Sequence, residues 1–235
     1  MPAEAEPTPQ SDAFLVYGTF HDLLQSIVSA LEARDPHTAE HSLRVADMCE
    51  RTCRFLGMDP REATLVHIAA HLHDIGKIGI PDAVLLKRAR RTAAEHELLR
   101  DHARIGAEIV EACAGLAPVA TVVRHHHERW DGLGYPDGLR ADAIPLGSRV
   151  IAVCDSVDAM LGKRLSKRPL DERACMEEIR RGSGSAYDPA VAACVLEHWD
   201  QIVGPVDFRD SADFEQEPAR RALRCTVSPG IARSA

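Results

Sequence analysis

With 235 residues, 45% of them hydrophobic, the chain carries enough apolar mass for one domain with a sizeable core, which excludes wholesale disorder. Aromatics at 4% favour close-packed helices over a sandwich or barrel, and the formal charge of −8 opposes a basic DNA- or RNA-binding face without excluding a small phosphate ligand. No apolar run reaches membrane-span length and the start "MPAEAEPTPQSDAF" has no basic or apolar leader region, so a cytoplasmic protein with no membrane attachment is expected.

In chain order, residues 1–10 are rich in Pro, Glu and Ala and read as a disordered lead-in. From Ser11 or Asp12, the apolar positions Phe14, Leu15, Leu23, Leu24, Ile27, Val28 and Leu31 predict a helix that stops near Pro36. A second helix carries His41, Leu43, Val45, Met48 and Cys53 and ends at Gly57, and Pro60 opens a third over Arg61–Ile75. "GKIGIPDAVLL" is broken by Gly and Pro and reads as a loop. Helical periodicity returns at Ala93–Asp101, Ile105–Ala112 and Ala117–Arg129, followed by the Gly-rich "DGLGYPDGL". "IPLGSRVIAVCDSVDAMLG" suits a buried helix, although "RVIAV" alone reads equally as a strand. Residues 171–181 and 189–202 form two closing helices, and from 206 the period is lost, predicting a largely mobile tail. One helical domain over 11–205 follows.

Seven cysteines stand singly, with no C-x-x-C pair; Cys49 and Cys53, one turn apart, either share a metal or serve as small buried apolar residues, the latter being favoured. In "HLHDIGK", His73 and Asp74 adjoin at a predicted helix end, where their side chains diverge enough to approach metal ions from two directions. Lys77, one turn on, can aim its charge at a phosphate. His41, His102 and the pair His126–His127 stand at other helix ends. Asp155 interrupts an apolar helix, where a buried carboxylate needs a metal, an Arg or a helix N-terminus as partner.

The stretches "RDPHTAEHSLRVA", "HDIGKIGIPDAVLLK", "HARIGAEIV", "HHERWDGLGYPDGL", "IPLGSRVIAVCDSVDAM" and "GSGSAYDP" give the span from about Ala33 to Val195 a resemblance to the HD-GYP family of metal-dependent phosphohydrolases. The resemblance implies an all-α, HD-type helical bundle with a Gly-Tyr-Pro loop and extra C-terminal helices. It implies metal ligation by His41, His73, Asp74, His102, His126, His127 and Asp155, with Asp74 bridging two divalent ions, Fe or Mn. Lys77 would hold the substrate phosphate, and Arg164 and Lys167 would contact nucleotide phosphates. Gly134, Tyr135 and Pro136 would form a lip at which the tyrosine either stacks on a guanine, meets another protein or packs to fix the loop. A cis Tyr135–Pro136 bond is compatible with the sequence.

The implied reaction is hydrolysis of cyclic di-GMP or a related cyclic dinucleotide to the linear dinucleotide, and in some members onward to GMP, through a hydroxide shared by the two ions. The alternative is a catalytically weak or inactive module that binds cyclic dinucleotide or a signalling protein such as a diguanylate cyclase. A phosphohydrolase of another nucleotide is a further rival, and the helix from Asp12 to Leu31 either pairs in a homodimer or caps the bundle. The chain departs from the family in three places, one of them His71, where many members carry an apolar residue. His37 stands where some members place a third-metal Glu, so no third ion is expected. "LGKRLSKRP" replaces the family's Asp-Arg-Pro-Tyr-Arg stretch, which bears on the substrate grip. His125 has no family role and reads as a surface or supporting residue, Glu128 as the orienter of an imidazole, and His71 as solvated or site-lining.

Overall fold

The computed structural model describes residues 23–24, 26–31, 34, 40–162 and 169–204. The predicted lead-in, His37, Arg164, Lys167 and the predicted tail lie outside the described residues. Those described between 23 and 34 are helical. Ten helices follow: α1 (His41–Phe55), α2 (Pro60–Leu72), α3 (Asp82–Leu85), α4 (Ala93–Arg100), α5 (His102–Glu111), α6 (Ala117–Arg124), α7 (Leu146–Leu161), α8 (Glu172–Gly182), α9 (Pro189–Glu197) and α10 (Trp199–Ile202). Tight 3-10 turns occupy Ile75–Gly79, Ala114–Leu116 and Ala141–Ala143. Among the described residues there is no strand, only an isolated bridge between Ser183 and Tyr187.

Local chemistry sets the boundaries. The Asp59 carboxylate accepts from Arg61 N–H with Pro60 at the first helical position, which starts α2 one residue before the predicted Arg61. The helix also ends sooner, at Leu72, because the chain tightens into the 3-10 turn that presents Lys77. The predicted loop at 76–86 therefore holds two ordered pieces, that turn and α3. A capping box between Thr92 and Glu95 opens α4. The helix expected from Ile105 begins at His102, and the one expected to reach Arg129 stops at Arg124, where His125 leaves helical geometry. "RVIAV" is helical within α7, because the apolar positions on either side complete a 3.6-residue face. The last predicted helix is two, broken at His198.

The core lies where α1, α2, α6 and α7 meet, and it includes Val45, Met48, Val66, Ala69, Val119, Val123, Val150, Ile151, Val153 and Val157. Each such aliphatic side chain contributes about 1.5–3 kcal/mol relative to exposure. Ile179, Val191 and Ile202 bring the closing helices onto the same core. Cys49, Cys53 and Cys154 are buried within it. Burial pushes the Cys53 thiol up to about 12, in keeping with its place as a small side chain in the core. α7 crosses α2 closely enough that a Cβ on Gly147 would sit 2.7 Å from a Val66 methyl. No helix among the described residues is long and apolar enough to cross a membrane.

Candidate metal centre

Helix ends converge on one site. His41 is the first residue of α1, His73 caps the C-terminus of α2, His102 opens α5, and His126 and His127 follow the end of α6. Asp155 reaches in from the middle of α7. The side chains form two triads, His41, His73 and Asp155 on one side and His102, His126 and His127 on the other, and within each the potential ligand atoms lie within 4.8 Å of one another. Asp74 stands between them. Its Oδ2 is 3.5 Å from His73 Nε2 and 3.9 Å from His41 Nε2, while its Oδ1 is 3.6 Å from His102 Nε2. One carboxylate oxygen thus faces each triad.

Three of the histidines are locked in the same way. Nδ1 of His73, His102 and His126 bonds to the carbonyl three residues earlier, on Ala70, Leu99 and Val123, at 2.8, 2.6 and 2.6 Å. Those carbonyls belong to the last turns of α2, α4 and α6, where a helix end leaves carbonyls without the usual i+4 donor. A carbonyl only accepts, so each Nδ1 carries a proton and each ring turns its Nε2 inward. His41 is oriented by a carboxylate instead: its Nδ1 is 2.6 Å from Asp158 Oδ2, and Asp158 Oδ1 accepts from Arg44 Nε at 2.5 Å.

The electrostatics divide along the same line. Burial, with neighbouring imidazoles adding to it, holds His126 well below the ordinary range and His127 at about 4, and burial also lowers His102, so that triad is neutral at pH 7. Burial also works against charge on His41, but Asp155 and Asp158 outweigh it and raise its pKa to about 9. Burial likewise opposes ionisation of Asp74 and Asp155. Lys77 and three imidazoles hold the first well below the carboxylate range, and His41, followed by His73 and His127, lowers the second.

This donor set fits divalent ions. With both Nδ1 atoms committed as donors, His102 Nε2 and His126 Nε2 direct lone pairs at one another across 3.4 Å, an arrangement that a cation relieves. Mixed imidazole and carboxylate donors suit Fe, Mn or Zn. Lys77 Nζ lies 2.7 Å from Asp74 Oδ2, beside the metal-ligand cluster.

The Gly-Tyr-Pro loop closes one edge. A Cβ on Gly134 would lie 2.3 Å from Arg129 N and 2.5 Å from Glu128 Cα, so only glycine permits this approach. The Tyr135–Pro136 bond is cis. The Tyr135 ring lies 4.9 Å from the His127 ring and 5.1 Å from the Arg100 guanidinium, a placement that favours packing of the loop.

Two sequence readings change, for Glu128 and His71. Glu128 orients no imidazole; its Oε1 accepts from Asp137 N–H at 2.7 Å and holds the loop. His125 takes the supporting one of its two readings, as a latch bonded to Thr121 C=O and to the Asp137 carboxylate, which also pairs with Arg124. His71 is buried and meets His67 at 3.1 Å, so it is neither solvated nor among the clustered ligands. Asp158 was missed. The signal for it was a second Asp one turn after Asp155 on an apolar helix, which needs a partner for the same reason.

Residues 25–191 match a family model described as an HD domain. The chain is 36% identical over 187 residues to 3′3′-cGAMP-specific phosphodiesterase 2 of Vibrio cholerae, covering 79% of this chain and 36% of that protein. It is 39% identical over 183 residues to a cyclic di-GMP phosphodiesterase of Thermotoga maritima, covering 75% of this chain and 50% of the relative. The chain therefore spans half or less of the length of these two relatives. A crystal structure of a Vibrio cholerae cyclic GMP-AMP-specific phosphodiesterase superposes with a TM-score of 0.60 at 20% identity, over 76% of this chain and 48% of the other.

Proposed function

The chain belongs to the HD-domain family, in its HD-GYP branch, and from that premise we propose that it is a metal-dependent phosphodiesterase that hydrolyses cyclic di-GMP or a related cyclic dinucleotide. The observation that carries the proposal is Asp74, with one oxygen toward each of two ligand triads. His41, His73 and Asp155 would hold one divalent ion and His102, His126 and His127 the other, with Asp74 shared and Fe or Mn the fitting metals. When bound, such a pair supplies Lewis acidity toward a phosphoryl oxygen and acidifies water at neutral pH.

The chain's own groups do the rest. The backbone carbonyls of Ala70, Leu99 and Val123 keep three imidazoles in the tautomer that presents Nε2. Asp74 holds the Lys77 ammonium beside the ligand cluster, where it neutralises charge gathering on the non-bridging phosphate oxygens. Asp155 and His127 are less deeply buried than the other ligands and line the side from which substrate enters. In the reaction, water oxygen bonds to phosphorus, the bond from phosphorus to the 3′-oxygen breaks, and the water's proton ends on that oxygen. The linear dinucleotide is the product, and a second round at the remaining diester gives GMP.

The test is to load the protein anaerobically with Fe(II), or with Mn(II), and follow cyclic di-GMP and 3′3′-cGAMP by chromatography beside Asp74→Ala. Loss of substrate in the wild type alone, with linear dinucleotide appearing, is expected. A preparation carrying two ions per chain that turns over neither substrate would sink the proposal and leave a binding module in its place.

A further inference from the structure

Arg34 stands in none of the ligand positions, yet it grips the backbone that presents Lys77. Leu24, Val28 and Leu31 are buried in the main core, and their spacing marks one helical face. Arg34, three residues beyond Leu31, lies over the turn at Ile75–Gly79. Its guanidinium makes five hydrogen bonds, one for each N–H. Nη1 donates to the carbonyls of Lys77 and Ile78 at 3.0 and 2.7 Å, Nη2 to that of Ile80 at 2.5 Å, and both Nε and Nη2 to Asp82 Oδ1 at 2.9 and 2.7 Å. Asp82 is exposed, so its ion pair adds little; the three carbonyls are what define the position. Lys77 C=O also accepts from Ile80 N–H at 3.1 Å, which makes the clamp and the turn one unit.

We infer that Arg34 is a positioning residue for Lys77, and that through this clamp a shift of Arg34 moves the ammonium that meets the substrate phosphate. The inference rests on the phosphodiesterase reading. A planar five-donor fork reaches carbonyls on three residues at once, whereas a lysine ammonium in its place has three donors around a single point.

The experiment compares the full wild-type chain with Arg34→Gln, Arg34→Lys, Lys77→Ala and the double variant Arg34→Gln/Lys77→Ala, all loaded with Mn(II). It reads metal content, kcat and KM for cyclic di-GMP, and amide hydrogen exchange across residues 75–82. Arg34→Gln is expected to lower kcat by about tenfold at nearly constant KM and unchanged metal content, since a small misplacement of a catalytic charge has that scale of effect. Exchange at Ile80 N–H quickens, Arg34→Lys recovers little, and in the Lys77→Ala background the Arg34 change has no further effect. Losses that multiply in the double variant, or unchanged exchange over 75–82, overturn the inference. Arg34→Lys carries the test if the glutamine variant does not fold. A wild type that hydrolyses no cyclic dinucleotide sinks the functional reading, while the exchange measurement still decides whether Arg34 holds the turn.

Discussion

Gly76→Ala separates packing from ligation in a way that the distances make quantitative. A Cβ at Gly76 would lie 1.9 Å from His102 O and 2.4 Å from Gly106 N, both backbone atoms of α5, so no side-chain rotation relieves the contact. To bring the first distance even to 3.0 Å, the turn and the helix must part by roughly 1.1 Å, and close-packed interiors resist such movements. That movement draws His102 away from Asp74, whose Oδ1 is now 3.6 Å from its Nε2. Two donors on one ion, each about 2.1 Å from it, can stand no more than about 4.2 Å apart, and an opening along this line takes the pair past that limit. The expected result is loss of about one bound ion per chain together with about 1–3 kcal/mol of stability, the range for overpacking. Metal analysis after desalting and a urea titration of the metal-free protein measure the two effects separately. A Gly76→Ala protein that binds as many ions as the wild type, at unchanged stability, would refute the claim that this backbone contact sets the register between the two triads.

Three further outcomes are expected. Asp158→Asn removes the charged partner of His41 Nδ1 and should weaken metal binding at the His41 triad by about 10–100-fold, visible by calorimetry as one weakened phase beside one unchanged phase. Lys77→Met should reduce turnover by about 10²–10³-fold with metal content intact, because the charge it loses acts on the developing oxyanion; equal turnover would remove Lys77 from the mechanism. Asp137→Asn tests the loop latch. Hydrogen bonds from Arg124, followed by the smaller effect of His125, hold the Asp137 carboxyl at about 2, below its unfolded value, so its contribution is complete above about pH 4 and fades as pH falls toward 2. Discounted for its exposure, that contribution is about 1 kcal/mol at pH 7. The stability gap between Asp137→Asn and the wild type in urea should therefore narrow below pH 4; a gap constant with pH would show that the carboxylate charge is not what latches the loop.

Much of this arrangement is legible in the sequence, and the rest is hidden for identifiable reasons. Helix order follows from apolar periodicity and from the Pro and Asp residues that open α2, α8 and α9. Boundaries went astray where a side chain, not periodicity, decides them. α6 ends at Arg124, although apolar residues and histidines continue the pattern, because the histidines are turned inward to the site and their backbone leaves the helix. Similarly, periodicity alone starts the next helix at Ile105, since Asp101, the residue before His102, offers no side-chain cap. Glu128 is buried, and its backbone partner, nine residues on, is fixed only by the fold of a glycine loop.

The device least accessible to sequence reasoning is the pairing of Nδ1 with a carbonyl three residues back. Nothing in the identity of Ala70, Leu99 or Val123 announces it, because the acceptor is backbone and any residue would supply it. What creates the acceptor is the end of a helix, where the last four carbonyls lack an intrahelical donor. A histidine placed just past that end satisfies one of them and fixes its own tautomer in the same bond. Three separate helix ends do this here, which accounts for these three histidines standing at helix termini and not on helix faces. A histidine on a face would need a side-chain partner for Nδ1, and His41, which begins α1, has one in Asp158. The prediction that follows is sharp. Replacing the Val123–Arg124 amide by an ester, whose carbonyl is a weaker acceptor, should loosen the His126 ring and weaken metal binding at the three-histidine triad even though every ligand is retained. Unaltered affinity there would show that burial alone orients these rings.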